Sequence, residues 1–298
     1  MSITEAAKKW GLTDRAVRYQ CARGAIDGAI KKGARWYIPE NLPKPKRNAG
    51  RKTRPKKLLE TLRQERSAGI EGGIYHKIQI DLTYNSNHIE GNALTHDQTR
   101  YIFETHTVEP DGKKHTLDTD DIIEIVNHFR CVDIIIDQAK RPLSENLIKR
   151  LHKTIFESTS KSQRPWFFAG DYKKIPNYVG DKKTTAPEKV TGSINKLLNS
   201  YAPDKPKSFE DIIAFHHDFE VIHPFQDGNG RVGRLILFKE CLKNDIVPFI
   251  ITDDMRMYYY QGLQKWDHEK GFLLDTCRLA QDNFKALLDY FRIAYTSS

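Results

Sequence analysis

Between His223 and Arg234 the chain reads HPFQDGNGRVGR, and these twelve residues carry several kinds of chemistry at once. His223, with an ordinary imidazole pKa of about 6.5, can take a proton from a hydroxyl at neutral pH. Pro224 and Phe225 would fix the turn that presents it. Asp227 is a hard oxygen donor suited to Mg²⁺, for which one carboxylate is enough when a nucleotide's phosphates supply other ligands. Gly228, Asn229 and Gly230 offer successive unobstructed backbone N–H groups at a helix start, where partial positive charge favours anions. Arg231 and Arg234 are three apart, so on a helix they share a face and can both reach a phosphate chain. A base, a carboxylate, an anion nest and two cations in that order suit phosphoryl or nucleotidyl transfer. The GK[ST] ending of a P-loop and the HRD set of a protein kinase are both absent, so the solution is a different one.

The elements that must hold this run are helical. Ahead of it, SFEDIIAFHHDFEVI places Phe209, Ile212, Ile213, Phe219 and Ile222 at helical spacing, and behind it comes the apolar LILFKECL, so the run is a loop between two helices. The same periodicity covers residues 57–69, Ile78 to Glu90, Asp118 to Ala139 and Ser144 to Thr159. Phe167 to Val190 breaks it with glycines, prolines and a β-rich NYVG, which reads as one exposed hairpin. The expected fold is mainly α, a helical core with a hairpin, preceded by something small. A length of 298 residues with 39% hydrophobic content suits that division.

Net charge is +9, yet residues 1–57 hold 16 Lys/Arg against 4 Asp/Glu, leaving −3 for the remainder. Such asymmetry points to a basic module that meets a polyanion, attached to an enzyme-like body. Within it, Ile3, Ala6, Ala7 and Trp10 form one short apolar face. Gly11 divides the pair, and Thr13 caps a second helix with Ala16, Val17 and Tyr19. After Gly24–Gly28 come a turn at Lys31-Lys32-Gly33 and a strand-like run, Arg35 to Pro39. The segment resembles excisionase-like and MerR-like winged helix-turn-helix domains. That resemblance implies Arg15 and Arg18 near bases or phosphates, with Lys31, Lys32 and Arg35 on the wing. Protein docking is the alternative use of such a helix pair. Residues 43–57 have three prolines, eight positive charges and no acidic residue, and read as an extended basic linker. No apolar run approaches the ~20 residues of a bilayer span, and MSITEAAKKWG lacks a signal peptide's apolar stretch, so a cytoplasmic protein without membrane contact is expected. Cys21, Cys131, Cys241 and Cys277 form no CxxC pair and read as reduced, buried small hydrophobes.

The run 223–234 matches the Fic signature HPFxxGNGRxxR at every specified position, and the chain from roughly Leu82 to Ala280 resembles that family. The resemblance implies a Fic-type helical core that transfers AMP from ATP to a hydroxyl of a target protein or of itself, with Mg²⁺. It implies His223 as base, Asp227 as metal ligand, the segment Gly228, Asn229, Gly230, Arg231, Val232, Gly233 around the phosphates, and Arg234 on the terminal phosphate. The intact GNGR favours adenylyl transfer over phosphorylation. AGDYKKIPNYVG resembles the family's target-binding flap, which puts Val179, Gly180, Asp181 and Lys182 beside the nucleotide. Tyr259 and Tyr260 resemble the pair near the adenine, with Asp267 where many members have asparagine; helix-core packing is the alternative for both tyrosines.

SNHIEGN, Ser86 to Asn92, fits the family's inhibitory pattern [S/T]xxxE[G/N]. Ser86 and Glu90 lie on one helical face, Gly91 ends the helix, and the resemblance implies that Glu90 pairs with Arg234 to keep ATP from a productive pose. The resulting division is 1–42 as the winged module, 43–57 as linker, 58–165 as a helical part with the motif 86–92, and 166–298 as the core with flap 169–189. Two other readings stay open: a dual AMPylase and de-AMPylase, and a DNA-binding regulator in which this body is a nucleotide-dependent switch. A homodimer is also open.

Overall fold

Serine and threonine caps set many of the helix starts. In the computed structural model, which describes residues 1–22, 26–33, 35–44, 57–108, 116–201 and 205–295 apart from the side chains of Arg15 and Tyr19, the chain divides into Met1–Arg54 and Pro55–Ser298. In the first unit, α1 (Ile3–Trp10) begins with a capping box between Ser2 and Glu5 and ends at Gly11 in the left-handed region. The N–H of Ala16 donates to Thr13 Oγ1 (3.2 Å) at the start of α2 (Asp14–Ala22). A hairpin follows, β1 (Ile30–Lys32) antiparallel to β2 (Arg35–Tyr37), with Lys31 opposite Trp36. Ala6, Ala7, Trp10, Val17, Cys21, Ile26 and Ile38 make a small core of their own. Arg18, Lys31, Lys32 and Arg35 are exposed. The expected positions Arg15 (side chain), Tyr19 (side chain), Gly24 and Ala25 lie outside the described residues, as does the linker from 45 to 56.

The second unit is a helical assembly: α3 (Leu58–Ala68), α4 (Ile74–Ile89), α5 (His96–Thr105), α6 (Thr119–Asp137), α7 (Glu145–Ile155), α8 (Pro187–Ser200), α9 (Phe209–Ile222), α10 (Asn229–Lys243), α11 (Arg256–Lys265) and α12 (Gly271–Tyr290). α10 is buried on all sides: Val232, Leu235, Ile236, Leu237 and Phe238 are each at most 3% exposed, so this helix is the axis on which α9, α6, α7 and α4 pack. At ~1.5–3 kcal/mol per buried large apolar side chain, that burial fixes where its N-terminus sits. All four cysteines are buried and free. Among the described residues no helix is long and apolar enough to cross a membrane.

Two boundaries differ from the sequence expectation. α4 begins at Ile74 rather than Ile78, because Gly73 caps it and the Tyr75 N–H donates to the Glu65 carboxylate (2.9 Å), a tertiary contact that local periodicity does not carry. The flap, expected over 169–189, pairs as strands only at β3 (Tyr178–Val179) and β4 (Lys182–Lys183). Its tip turns at Gly180, φ +55, while Phe167 and Tyr172 at its base are drawn into the core.

Candidate active site

The loop between α9 and α10 is held by its own side chains. α9 starts at a Ser208–Asp211 capping box and ends at His223, whose N–H donates to the Phe219 carbonyl (3.0 Å) at φ +51. A non-glycine residue there carries roughly 1 kcal/mol of strain, a cost that persists where the surroundings impose the shape. Asn229 imposes part of it: Oδ1 accepts from the Phe225 N–H (2.8 Å) and Nδ2 donates to the Phe225 carbonyl (2.9 Å). His152, on α7, supplies another part. Its ring stacks on Phe225 at 3.9 Å and 3°, and its Nδ1 accepts from the Gly170 N–H (2.9 Å). Nε2 must then carry the hydrogen and donate to the Asp227 carbonyl (3.1 Å), which fixes a neutral tautomer; burial agrees, pushing His152 down to about 3.

Gly228 caps α10 at φ +76, with the Phe156 ring so close that an added Cβ would stand 2.6 Å from it. Gly228→Ala is therefore expected to cost at least ~1–2 kcal/mol from the backbone conformation alone, with the Phe156 clash added. Chemical denaturation should show a lower midpoint at unchanged slope, and an unchanged midpoint would contradict this packing.

Charge is distributed unevenly across the loop. Burial, aided by Lys173, pushes His223 down to about 4, so its imidazole is neutral at pH 7. Lys173 is itself pushed down to about 8 by burial; its Nζ donates to Asn177 Oδ1 and Thr184 Oγ1, and its N–H donates to the Pro224 carbonyl (2.9 Å), joining flap to loop. Burial works against ionisation of Asp227, but Arg231, Lys161 and the Gly228 N–H outweigh it and hold the carboxyl below its usual range. Lys161 Nζ lies on Asp227 Oδ2, and the Gly228 N–H donates to Oδ1 (2.6 Å).

Both arginines are engaged by helices from the other half of the unit. Arg231 Nη1 pairs with the Glu124 carboxylate of α6 and reaches Asn87 Oδ1 (3.4 Å), with its guanidinium 4.9 Å from the Phe156 ring centre. Arg234 donates through Nε to Ser86 Oγ (3.1 Å) and through Nη2 to the Ser86 carbonyl (2.7 Å) and Glu90 Oε1 (2.8 Å). α4 closes at Glu90 with Gly91 at φ +98, so the glutamate projects from the last turn. Its Oε1 lies only 2.2 Å from where a Gly230 Cβ would be, so the carboxylate rests on the first turn of α10, where an anion is favoured.

Residues 142–240, which contain α7 through nearly all of α10, match the Fic/DOC family. This segment is a Fic domain. The chain is 29% identical over 188 residues to "Protein adenylyltransferase Fic" of Nematostella vectensis, covering 62% of this chain and 42% of that protein. It is 25% identical over 184 residues to "Protein adenylyltransferase fic-1" of Caenorhabditis elegans, covering 60% and 35%. It thus spans less than half the length of these curated relatives. Among solved structures, a Fic domain containing signaling protein from Bacteroides thetaiotaomicron superposes with a TM-score of 0.57 at 24% identity, over 78% of this chain and 91% of that one. Fic-1 (residues 134–508) from C. elegans gives 0.57 at 20%, over 78% and 70%. At those identities the structures speak for the fold, a helical Fic fold with a small hairpin.

Within the Fic domain and its neighbours, some expected site residues stand elsewhere than the sequence suggested. The Asn229 side chain closes the loop, which leaves only its backbone for contact with a ligand. Val232 is wholly buried and its N–H is spent on the Gly228 carbonyl (3.1 Å). Gly233 faces inward: a Cβ there would meet Glu220 Oε1 at 2.3 Å and His216 Nδ1 at 3.1 Å, so this glycine makes room for a buried carboxyl. Burial raises that Glu220 carboxyl to about 8, against the pull of Arg234, and it stays protonated at neutral pH. Tyr259 is 1% exposed and hydrogen-bonded to His216 Nε2 (2.7 Å), which makes it core, whereas Tyr260 is half-buried beside it. Val179, Gly180, Asp181 and Lys182 are exposed at the flap tip, and Asp267 is exposed at the end of α11.

Sequence reasoning passed over His152, Phe156, Lys161, Lys173, Glu124 and Glu220. The residues present fit a divalent ion shared with a phosphate, since Asp227 is an ionised oxygen donor on which a cation already rests. Among the described residues no group of three or more His, Cys, Asp or Glu could hold a metal unaided, so phosphate oxygens and water would complete its shell.

Proposed function

We propose that the protein transfers AMP from ATP and Mg²⁺ to a hydroxyl side chain of a target protein or of itself, and that Glu90 holds this activity down. The observation that carries the reading is one stapled loop: a neutral His223, the Asp227 carboxylate and the first turn of α10, on which Glu90 rests, all lie within residues 223–230. The adenylyltransferase names of the curated relatives support it.

In this mechanism His223 takes the proton of the acceptor hydroxyl as its oxygen attacks the α-phosphorus. A bond forms from that oxygen to phosphorus, and the bond to the β-phosphate oxygen breaks in line. Pyrophosphate departs carrying the electron pair. Asp227 would hold Mg²⁺, which would supply positive charge against the phosphates. The N–H groups of Asn229 and Gly230 hold the phosphates, and Arg234 takes the terminal one once Glu90 leaves it. The exposed flap strands, with Val179 and Lys182, offer main-chain pairing to an acceptor segment.

Incubating the Glu90→Gly chain with ATP labelled on the α- or the γ-phosphate, alone and with cell lysate, tests the reading. Protein-bound α-label with a mass gain of one AMP is expected. Transfer of the γ-label, or no transfer of either, would overturn it.

A second function is favoured by the exposed cations of the first unit. Arg18, Lys31, Lys32 and Arg35 suit contact with DNA phosphates. A gel shift by the full chain is expected, weakening steeply between low and moderate salt. Neutralising Lys31, Lys32 and Arg35 together should reduce the salt slope by roughly 2–3, and absence of any shift at low salt would leave this unit a protein-docking module.

A further inference from the structure

We infer that Lys161 is a tethered cation that competes with the divalent ion for Asp227. The inference rests on Asp227 being the metal ligand, as proposed above. Lys161 belongs to the stretch after α7 that the signature does not include, and it stands on a single 3₁₀ turn, Lys161–Gln163. Its ammonium lies on Asp227 Oδ2, while the Gly228 N–H takes Oδ1. The carboxylate that would bind a metal therefore has both oxygens occupied, one of them by a full positive charge.

The turn does not need that ion pair to keep its shape. Ser160 is tied to Asp120 through its N–H on Oδ1 (2.8 Å) and its Oγ on Oδ2 (2.5 Å). Thr159 Oγ1 donates to the Phe156 carbonyl (2.9 Å) and accepts from the Ser162 N–H (3.2 Å), and the Arg164 N–H closes onto the Lys161 carbonyl (3.1 Å). The main chain is fixed by these bonds, and the Lys161 side chain reaches out from it. Its ammonium also stands 5.5 Å from the Phe156 ring centre, the ring that abuts Gly228 and carries Arg231. Phe156 thus guides two cations toward the phosphate end of the site, where Lys161 is 29% exposed at its side chain and free to swing aside.

Two cations cannot share one carboxylate oxygen at contact distance without mutual repulsion, so ion binding must move Lys161 off. A nucleotide delivers compensating negative charge at the same moment, giving the displaced ammonium a phosphate to meet. Metal affinity in the absence of nucleotide is thereby kept low, and the ion enters with its phosphates.

Mn²⁺ binding to the full chain in the absence of nucleotide, read from the free-ion electron paramagnetic resonance signal, tests this without any turnover. Wild type, Lys161→Met, Lys161→Arg and Asp227→Asn are compared. Removing one partly exposed ion pair should tighten Mn²⁺ binding by roughly threefold to fivefold in Lys161→Met. Lys161→Arg should bind as wild type does. Equal or weaker Mn²⁺ binding in Lys161→Met overturns the inference. Unchanged binding in Asp227→Asn overturns it differently, by removing the metal ligand on which it rests. Loss of AMP transfer alongside the expected Mn²⁺ pattern would count against the proposed reaction alone.

Discussion

Glu90→Gly is expected to raise AMP incorporation into the chain itself by roughly tenfold to a hundredfold, because a charge-assisted hydrogen bond to phosphate is worth ~1.5–3 kcal/mol and each ~1.4 kcal/mol is a factor of ten. The geometry behind this is a double obstruction. Glu90 Oε1 takes Arg234 Nη2 at 2.8 Å, and the same oxygen lies over Gly230, where the phosphates would meet the first turn of α10. Glycine at 90 vacates both positions, while Ser86 still holds Arg234 through two hydrogen bonds, so the guanidinium stays in place. Labelled ATP followed by gel autoradiography reads the effect. Equal incorporation by mutant and wild type would end the inhibitory reading of Glu90. The same pair of proteins, offered pre-modified chain and Mg²⁺, distinguishes a hydrolytic role: release of AMP that depends on Glu90 would show it.

The second large effect belongs to His223. In the Glu90→Gly background His223→Ala should lower transfer by roughly 10²–10⁴, the range that a positioned general base contributes. A rate within a few fold of its parent would remove His223 from that role. The pH profile gives an independent sign. In the proposed mechanism the active form is the neutral imidazole, so transfer should be level between about pH 6 and 8 and fall as acid protonates a group whose folded pKa is about 4. A histidine at its ordinary value would instead lose half its activity near pH 6.5. The depressed value follows from burial and from Lys173, so Lys173→Met should move the falling limb upward in pH, and a limb that does not move would show that burial alone sets it.

How much of this could be read beforehand depends on sequence distance. The helices were legible because each writes its own apolar period. The loop 223–234 was legible because its glycines, its histidine and its carboxylate are contiguous. The meeting of Glu90 with Arg234, 144 residues apart, came from family resemblance and not from spacing. Where resemblance was silent, so was the sequence. Glu124 finds Arg231 across 107 residues and Lys161 finds Asp227 across 66, and each looks like any solvated charge in its own segment. His152 read only as a polar position on an amphipathic helix, since the stack with Phe225 exists only once α7 and the loop are packed. Tyr259 and Gly233 were placed beside the nucleotide by motif; the polar pair His216 and Glu220 of α9 meets Gly233 of α10, and His216 also meets Tyr259 of α11, only once these helices are packed.

α4 does more than carry Ser86 and Glu90. Ile74 and Ile78 are fully buried and Leu82 nearly so in the main core, while Ile89 belongs to the second core with Leu237 and Tyr259. The residue proposed to inhibit is thus mounted on a structural beam. Cutting the beam away would expose two cores and forfeit the fold before any activity could be gained, so relief has to happen within the side chain of one glutamate or the last turn that bears it. On the proposed reading, a switch built this way would give a single codon change a route to an active protein and deny that route to truncation.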